Sequence, residues 1–253
     1  MKTLTELLKK IFLPLIVIYI AFLSYNFNFF HVVNDDRFFI QKGETLVLDG
    51  ILKGKDEYGR LFLGSYGRPR DISTIDLHKL YNDKNKSGKF LKYESQFGLQ
   101  LHLFHYLKIF GYDSISIFQG IIALFMSFVV GILFHILSKD FSIMFASIFS
   151  ATLIFSPWVV IFARNLYWVE ATWFLPMIIS MYYGKTNIVS KLSNIKFFVF
   201  LTLAFLIKML CGYEYLTTVF IASCVPIILY MSLEKYYVKL SLIKLSVNTI
   251  SVF

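Results

Sequence analysis

Apolar runs long enough to cross a lipid bilayer constrain this chain more than any other feature. A spanning helix needs about 20 mostly apolar residues, because roughly 30 Å of hydrocarbon must be crossed and every backbone polar group must be paired within the segment. The runs lie at about 11–30, 115–137, 141–163, 166–183, 197–211 and 216–233, and a seventh, incomplete run follows Lys239. The predicted fold is all-α: a polytopic transmembrane helical bundle of six to seven helices, forming a single membrane domain over residues 1–253.

The composition agrees with a membrane protein and excludes several other classes. Of the 253 residues, 57% are hydrophobic and 16% are charged, whereas soluble domains average about 45–50% and about 25%. Cys211 and Cys224 lie in apolar surroundings without metal-ligand spacing, which excludes a disulfide framework and a zinc site as organising principles. The net charge of +9 does not indicate a nucleic-acid partner, because the basic residues flank apolar runs or lie in one long polar loop.

Basic residues in the short connections predict the orientation. The first run, 11–30, is longer than that of a signal peptide and lacks a cleavage site of small residues, so we expect it to be retained as a helix. If the N-terminus is cytoplasmic, the short outer turns hold only Arg164 and Lys208. The inner side then holds Lys2, Lys9, Lys10, Lys139, Lys185, Lys191, Lys196, Lys235, Lys239 and Lys244. The polar segment 31–114 is extracytoplasmic in this topology, and the expected location is a bacterial cytoplasmic membrane.

A pair of carboxylates opens the extracytoplasmic loop directly after the first helix. Asp35 and Asp36 are followed by Arg37 and flanked by phenylalanines, among them Phe38. Apolar surroundings raise the pKa of a carboxylate, which is the usual preparation for a general base. Asp35 and Asp36 are therefore candidate catalytic residues. The alternative is that they cap a helix and mark the membrane interface.

Two Tyr-Gly-Arg units further along the loop end in Arg60 and Arg68. They bracket the apolar residues 61–63, a pattern typical of a short hairpin that presents both arginines on one side, suited to a phosphate or a carboxylate. A solvated turn region is the alternative. Asp56 and Glu57 offer carboxylates to a divalent metal, but at a spacing without specificity. No cofactor is therefore assigned, and a divalent metal is left open.

The stretch from Tyr93 to Tyr112 predicts a helix that lies in the outer interface of the membrane. Phe97, Leu101 and Phe104 recur near helical spacing, and the stretch is too short and too polar to span. The lysine-rich segment before it, 82–92, is expected to be a flexible surface loop.

Ionisable and aromatic side chains gather at the outer ends of the later helices. Arg164 and Glu170 flank one outer turn, and Lys208, Tyr213 and Glu214 surround another. Ionisable groups at membrane depth are costly and usually face a bundle interior or a water-filled cavity. The six-residue separation of each acid and base does not place them on one helix face, so their partners should come from other helices or from a ligand. An outward-facing polar cavity is predicted; the alternative is snorkelling side chains within an aromatic belt.

This layout resembles the GT-C superfamily of membrane glycosyltransferases, which includes protein O-mannosyltransferases and aminoarabinose transferases. The shared features are one retained N-terminal helix, a large outer loop that opens with an acidic pair, an interfacial helix and many tightly linked helices. As motifs, the resemblance rests on Asp35 and Asp36 and on the SQFGLQ run at 95–100. It implies that one of the two acids activates the acceptor, while Arg164 and Lys208 hold the phosphate of a polyprenyl-phosphate sugar. These enzymes usually have more helices, so we expect this chain to be the N-terminal part of a larger enzyme.

The function expected from the sequence is transfer of a sugar from a polyprenyl-phosphate donor to a glycan, lipid or protein acceptor at the outer face of the membrane. Membrane lipids are the other expected partners. The candidate substrate-binding residues are Arg60, Arg68, Arg164, Glu170, Lys208, Tyr213 and Glu214. The alternative is a transporter or flippase for a lipid-linked glycan or another anionic solute, with the charged residues at the outer helix ends lining its path. A noncatalytic membrane scaffold is a third hypothesis.

Overall fold

Helices make up most of the chain, so the predicted all-α class is confirmed. The computed structural model describes residues 2–39, 43–66, 76, 79, 81, 89–184, 191–233 and 246–251. The chain forms two compact units, Met1–Ala171 and Thr172–Phe253.

The first unit contains the N-terminal helix, the loop region and the helices that follow it. Its helices are α1 (Lys2–Phe27), α2 (Asp35–Phe38), α3 (Glu44–Lys53), α4 (Leu99–Ile109), α5 (Ile115–Asp140), α6 (Ile143–Ile154) and α7 (Pro157–Phe162), and its strands are β1 (Gly64–Ser65) and β2 (Leu91–Lys92). Helix α8 (Ala171–Gly184) begins at the boundary, and the second unit continues with α9 (Lys191–Cys211), α10 (Leu216–Leu233) and a helical stretch at 246–250. The predicted bounds of the sixth run, 216–233, match α10.

Helix α1 packs closely against α5 and α6. Gly131 of α5 permits this approach, because a Cβ atom at that position would overlap Ile18 of α1. At the other end of the contact, the buried Ser24 hydroxyl donates a hydrogen bond of 2.8 Å to the carbonyl oxygen of Ile154. That carbonyl belongs to the last turn of α6, where no intrahelical donor is available. A side chain of α1 thus completes the C-terminus of α6.

The apolar run predicted as one helix over 141–163 is two helices with a break between them. Helix α6 ends at Ile154, and α7 begins at Pro157. Ser156 caps α7 by accepting a hydrogen bond from the Val159 N–H. Proline has no N–H and disfavours helical geometry in the residue before it, so Ser156 and Pro157 end one helix and begin the next.

The helix predicted from Leu166 begins later, at Ala171. In the intervening turn, the side-chain oxygen of Asn165 accepts hydrogen bonds from the backbone N–H groups of Tyr167 and Trp168, at 2.8 and 3.1 Å. These bonds compete with helical pairing of the same groups. The turn itself was predicted, and the sequence placed Arg164 and Glu170 at its two ends.

The loop region is anchored by α3, whose apolar side chains are all buried. Gly50 of α3 packs directly against the backbone of Phe62, because a Cβ atom on Gly50 would lie 2.5 Å from the Phe62 carbonyl oxygen. Strand β1 pairs antiparallel with β2, with Gly64 opposite Lys92. A short hairpin was predicted over the stretch in which the two Tyr-Gly-Arg units bracket residues 61–63, whereas β1, directly after these residues, pairs with β2 from the far side of the loop. The interfacial stretch forms α4, and its location in an interface stays a prediction.

Among the described residues, α5 is the helix that is both long and apolar enough to cross a membrane, which is consistent with the predicted membrane association. Shorter apolar helical stretches lie at Ile11–Phe27, Ile143–Ile154 and Leu216–Tyr230. Large apolar side chains are also exposed along several helices. They include Phe12, Leu15 and Tyr19 on α1, Phe125, Phe128 and Ile132 on α5, Met144 and Ile148 on α6, Leu203 and Leu206 on α9, and Ile221, Val225 and Ile228 on α10.

Candidate functional site

The predicted acidic pair lies on α2, in a tight turn that follows the end of α1. Asn28 organises this turn: its Nδ2 donates to the Val33 carbonyl at 2.7 Å and to Asp35 Oδ1 at 3.0 Å, and its Oδ1 accepts from the Val33 N–H. Asn28 adopts a φ of 49°, in the left-handed region that asparagine tolerates better than most residues. The sequence N-F-F-H-V-V-N therefore bends sharply enough to return Asp35 to the end of α1.

Both acids are exposed, but they differ in how they are held. Asp35 is oriented by Asn28, and His31 Nδ1 lies 3.9 Å from Asp35 Oδ1. The N-terminal cap of α2 is supplied by Asn34, whose side chain accepts a hydrogen bond from the Asp36 N–H at 3.1 Å. The side-chain cap of α2 thus comes from Asn34, while Asp35 and Asp36 lie in the first turn of this helix.

Arg164 connects α2 to α1 and α5. Its side chain is buried, with Nη1 donating to the Asn26 carbonyl at 3.0 Å and Nη2 donating to Gln119 Oε1. The guanidinium also lies 4.7 Å from the ring centroid of Phe38, the last residue of α2. As expected from its spacing to Glu170, Arg164 takes its partners from other elements. The helix that carries the acidic pair therefore rests on the guanidinium through a cation–π contact.

Glu44 is the buried carboxylate that balances this cation. Its Oε2 accepts a hydrogen bond of 2.8 Å from Gln119 Nε2, and its Oε1 accepts one of 2.9 Å from the Leu166 N–H. Burial raises the pKa of Glu44 from 4.5 to about 7, although these two hydrogen bonds and the charge of Arg164 act in the opposite direction. Gln119 thus bridges an acid and a base, and the three side chains join α3, α5 and the turn after α7.

Sequence reasoning missed Glu44 and Gln119. Glu44 begins an apolar stretch in a loop rich in charge, where one more acid is not distinctive. Gln119 did carry a signal, because an amide inside the apolar run 115–137 must find a partner in a place without water. The partner itself was out of reach, because Glu44 and Gln119 are separated by 75 positions in the chain.

Glu170 is buried at the other end of the same turn. Its Oε2 has no hydrogen-bond partner, and the hydroxyl of Tyr25 on α1, which interacts with Glu170 electrostatically, has none either. Arg164 and Glu170 are thus both buried in the first unit, but they contact different groups. Arg164 binds Asn26 and Gln119, whereas Glu170 interacts with Tyr25. A buried carboxyl with an unsatisfied oxygen is costly, which marks Glu170 as a polar position inside an apolar setting.

The remaining predicted cation and its neighbours belong to the second unit. Lys208 is buried near the end of α9, where its Nζ donates to the Gly212 carbonyl and lies 5.8 Å from the ring centroid of Trp173. Glu214 interacts with it electrostatically, and Tyr213 is half exposed. The spacing of Lys208 and Glu214 predicted partners from other helices or from a ligand, but Lys208 instead bonds to Gly212, four residues along the chain, and interacts with Glu214 itself.

Arg60 lies in a turn organised by Asp56, whose Oδ1 accepts from the backbone N–H groups of Tyr58 and Arg60 at 2.9 and 2.8 Å. Arg68 lies outside the described residues. Within the described part of the chain, no cluster of three or more His, Cys, Asp or Glu side chains is arranged to hold a metal ion. Asp56, one of the carboxylates considered for a divalent metal, stabilises this turn through its Oδ1.

Compared with protein families, with curated proteins and with solved structures, the chain shows no match to any of the three.

Proposed function

We propose that this protein is a multi-pass membrane glycosyltransferase that transfers a sugar from a polyprenyl-phosphate donor to an acceptor at the outer face of the membrane, with Asp35 as the general base. One observation carries the proposal: Asp35 is exposed to an incoming acceptor yet oriented by Asn28, on a helix that packs on the guanidinium of Arg164. An exposed carboxylate that is merely solvated needs no such support.

The membrane setting is supported by the exposed apolar side chains of α1, α5, α6, α9 and α10. In water, so much apolar surface would favour aggregation, whereas lipid tails cover it without cost. With the N-terminus in the cytoplasm, the end of α1 and the acidic pair that follows it reach the outer face. The lipid-linked donor then approaches within the bilayer and the acceptor approaches from the aqueous side.

The chemistry divides between the Asp35 carboxylate and the Arg164 guanidinium. Asp35 takes the proton of the acceptor hydroxyl while the acceptor oxygen bonds to the anomeric carbon of the sugar. The bond from the anomeric carbon to the phosphate oxygen breaks in the same step. The leaving polyprenyl phosphate keeps the electron pair and needs nearby positive charge. Arg164, whose Nη atoms are already hydrogen-bonded, contributes its charge from behind α2 and holds that helix in place.

The test is reconstitution of the full-length protein into liposomes that contain a radiolabelled polyprenyl-phosphate sugar. We expect transfer of the label to an added acceptor together with release of polyprenyl phosphate. Movement of labelled lipid across the bilayer without any transfer would contradict the proposal and favour the transporter. The buried and incompletely satisfied Glu170 is the observation that makes the transporter worth this second readout.

A further inference from the structure

A groove crosses the outer surface of the loop region, between the Asp56 turn and the start of α4. Its larger part has a volume of about 460 Å³ and a neighbouring part about 340 Å³, and both are lined by Arg60, Phe62 and Lys92. These volumes lie within the usual range for small-molecule sites, about 300–1,000 Å³. None of the contacts described for the acidic pair or for Arg164 involves this groove.

The groove presents cations in fixed positions. Arg60 is placed by its backbone bond to Asp56, and its guanidinium lies 5.3 Å from the Tyr58 ring centroid. Lys92 is placed by strand pairing, and its Nζ lies 3.7 Å from the ring centroid of Phe62. Resting a long cationic side chain on an aromatic face reduces the entropy that it loses when it binds an anion.

Arg60 is the cation best suited to a new partner. Within the described residues, no carboxylate lies within ion-pairing distance of its guanidinium, whereas Lys92 lies 3.4 Å from Glu94 Oε1. A guanidinium presents two parallel N–H donors that match the two oxygens of a carboxylate. The groove therefore offers one bidentate donor for an anionic group, beside a lysine that shares its charge with Glu94.

An aromatic platform lies at the other end of the same groove. The Phe97 and His102 rings are stacked, with centroids 5.7 Å apart and planes within 14° of each other, and Phe97 is more than half exposed. Gly98 fixes the turn into α4 with a φ of 71°, and a Cβ there would come within 2.7 Å of Leu63, so this segment is tightly seated. A flat, exposed ring of this kind packs well against the C–H face of a pyranose.

We propose that this groove binds an anionic saccharide, with a carboxylate of the sugar on Arg60 and a pyranose ring on Phe97. Naming this saccharide as the acceptor rests on the proposed transferase function, whereas the binding site itself does not. An isolated anionic group would use the cations but not the platform, and a neutral sugar would use the platform but not the cations. The combination of both is what specifies a uronic-acid type of ligand.

The experiment measures binding by isothermal titration calorimetry, with the full-length protein in nanodiscs of phosphatidylcholine. The probe is tetragalacturonate, and its methyl ester has the same rings without the charges. We expect the ester to bind at least 10-fold more weakly. We also expect Arg60→Gln to weaken tetragalacturonate binding about 10-fold and Lys92→Gln to weaken it by a smaller factor, because Lys92 is paired with Glu94. Lys108→Gln, a charge change on α4 outside the groove, should leave the affinity unchanged.

Phe97→Ala separates the platform from the charges, because it should weaken the binding of both probes. The melting temperature of each variant must match that of the wild type. This is expected for the three groove variants, because the side chains of Arg60, Lys92 and Phe97 are exposed. Equal affinity of the wild type, Arg60→Gln and Lys92→Gln for tetragalacturonate would overturn the proposal, as would equal affinity for the ester. Displacement of the probe by phosphatidylglycerol in the nanodisc would also overturn it, in favour of a lipid headgroup. Binding without sugar transfer refutes only the transferase, and transfer without binding refutes only the groove.

Discussion

Protonation of Glu44 should make the stability of this protein fall as the pH rises through neutrality. Burial raises the pKa of Glu44 from 4.5 to about 7 in the folded protein. Between these values the folded state holds a proton that the unfolded chain has lost, so the free energy of unfolding decreases as the pH rises from about 4.5 to about 7. At about 1.36 kcal/mol for each unit of pKa, this contribution is roughly 3 kcal/mol.

The assay is thermal unfolding of the detergent-solubilised protein, followed by tryptophan fluorescence at pH 5 and at pH 8. For a chain of this size, a loss of about 3 kcal/mol lowers the unfolding midpoint at pH 8 by roughly 6–12 °C relative to pH 5. Glu44→Gln should remove this part of the pH dependence, because the amide does not titrate. Other groups that titrate in the same range cancel when the wild type and the variant are compared.

The matched control is Glu94→Gln, which neutralises an exposed carboxylate paired with Lys92. An exposed pair of this kind contributes about 1 kcal/mol or less, so the difference between the two pH values should stay as in the wild type. The reasoning is refuted if Glu44→Gln keeps the full wild-type difference between pH 5 and pH 8. It is refuted equally if the wild type is more stable at pH 8 than at pH 5 and Glu44→Gln shows the same difference between the two pH values.

Three further substitutions test the packing around the site. Arg164→Met should destabilise the protein by roughly 3 kcal/mol at pH 8 and by less at pH 5, because the ionised Glu44 loses its nearby cation; equal losses at both pH values in thermal melts would contradict this. Gly131→Ala should destabilise the protein by about 1–3 kcal/mol, since the added Cβ overlaps Ile18. The control Gly120→Ala on the same helix should leave the melting temperature unchanged, because its Cβ meets only Asn26 Oδ1, at 3.7 Å. Asn28→Ala should lower the turnover number of sugar transfer about 10-fold with the donor KM unchanged, because Asp35 loses its orienting donor; a change in KM alone would assign Asn28 a different role.

The apolar runs predicted the helices well, because burial or lipid contact of long apolar segments depends on composition and length. The bounds at α10 match, and α5 was predicted within three residues of its end. The errors came from local polar chemistry inside apolar sequence. Ser156 and Pro157 divide one predicted helix into α6 and α7, and Asn165 delays the next helix by binding backbone N–H groups.

The candidate site was predicted in part, for a related reason. Asp35 stands out because it follows a long apolar run directly, and sequence neighbours were enough to single it out. Its support could not be predicted, since Arg164, Gln119 and Glu44 come from three distant segments and meet only in the folded chain. The groove around Arg60 depends on the pairing of β1 with β2, which the hairpin expectation placed elsewhere.

The role of Asp35 as general base is the central claim, and one measurement tests it most directly. Initial rates of sugar transfer are measured in proteoliposomes for the wild type, Asp35→Asn, Asp36→Asn and the control Glu57→Gln, which changes an exposed carboxylate outside both sites. Asp35→Asn retains an oxygen that can accept from Asn28 but cannot take a proton, so we predict a loss of at least about 100-fold in turnover. Smaller losses are predicted for Asp36→Asn and none for Glu57→Gln. Transfer by Asp35→Asn at the wild-type rate would contradict the account.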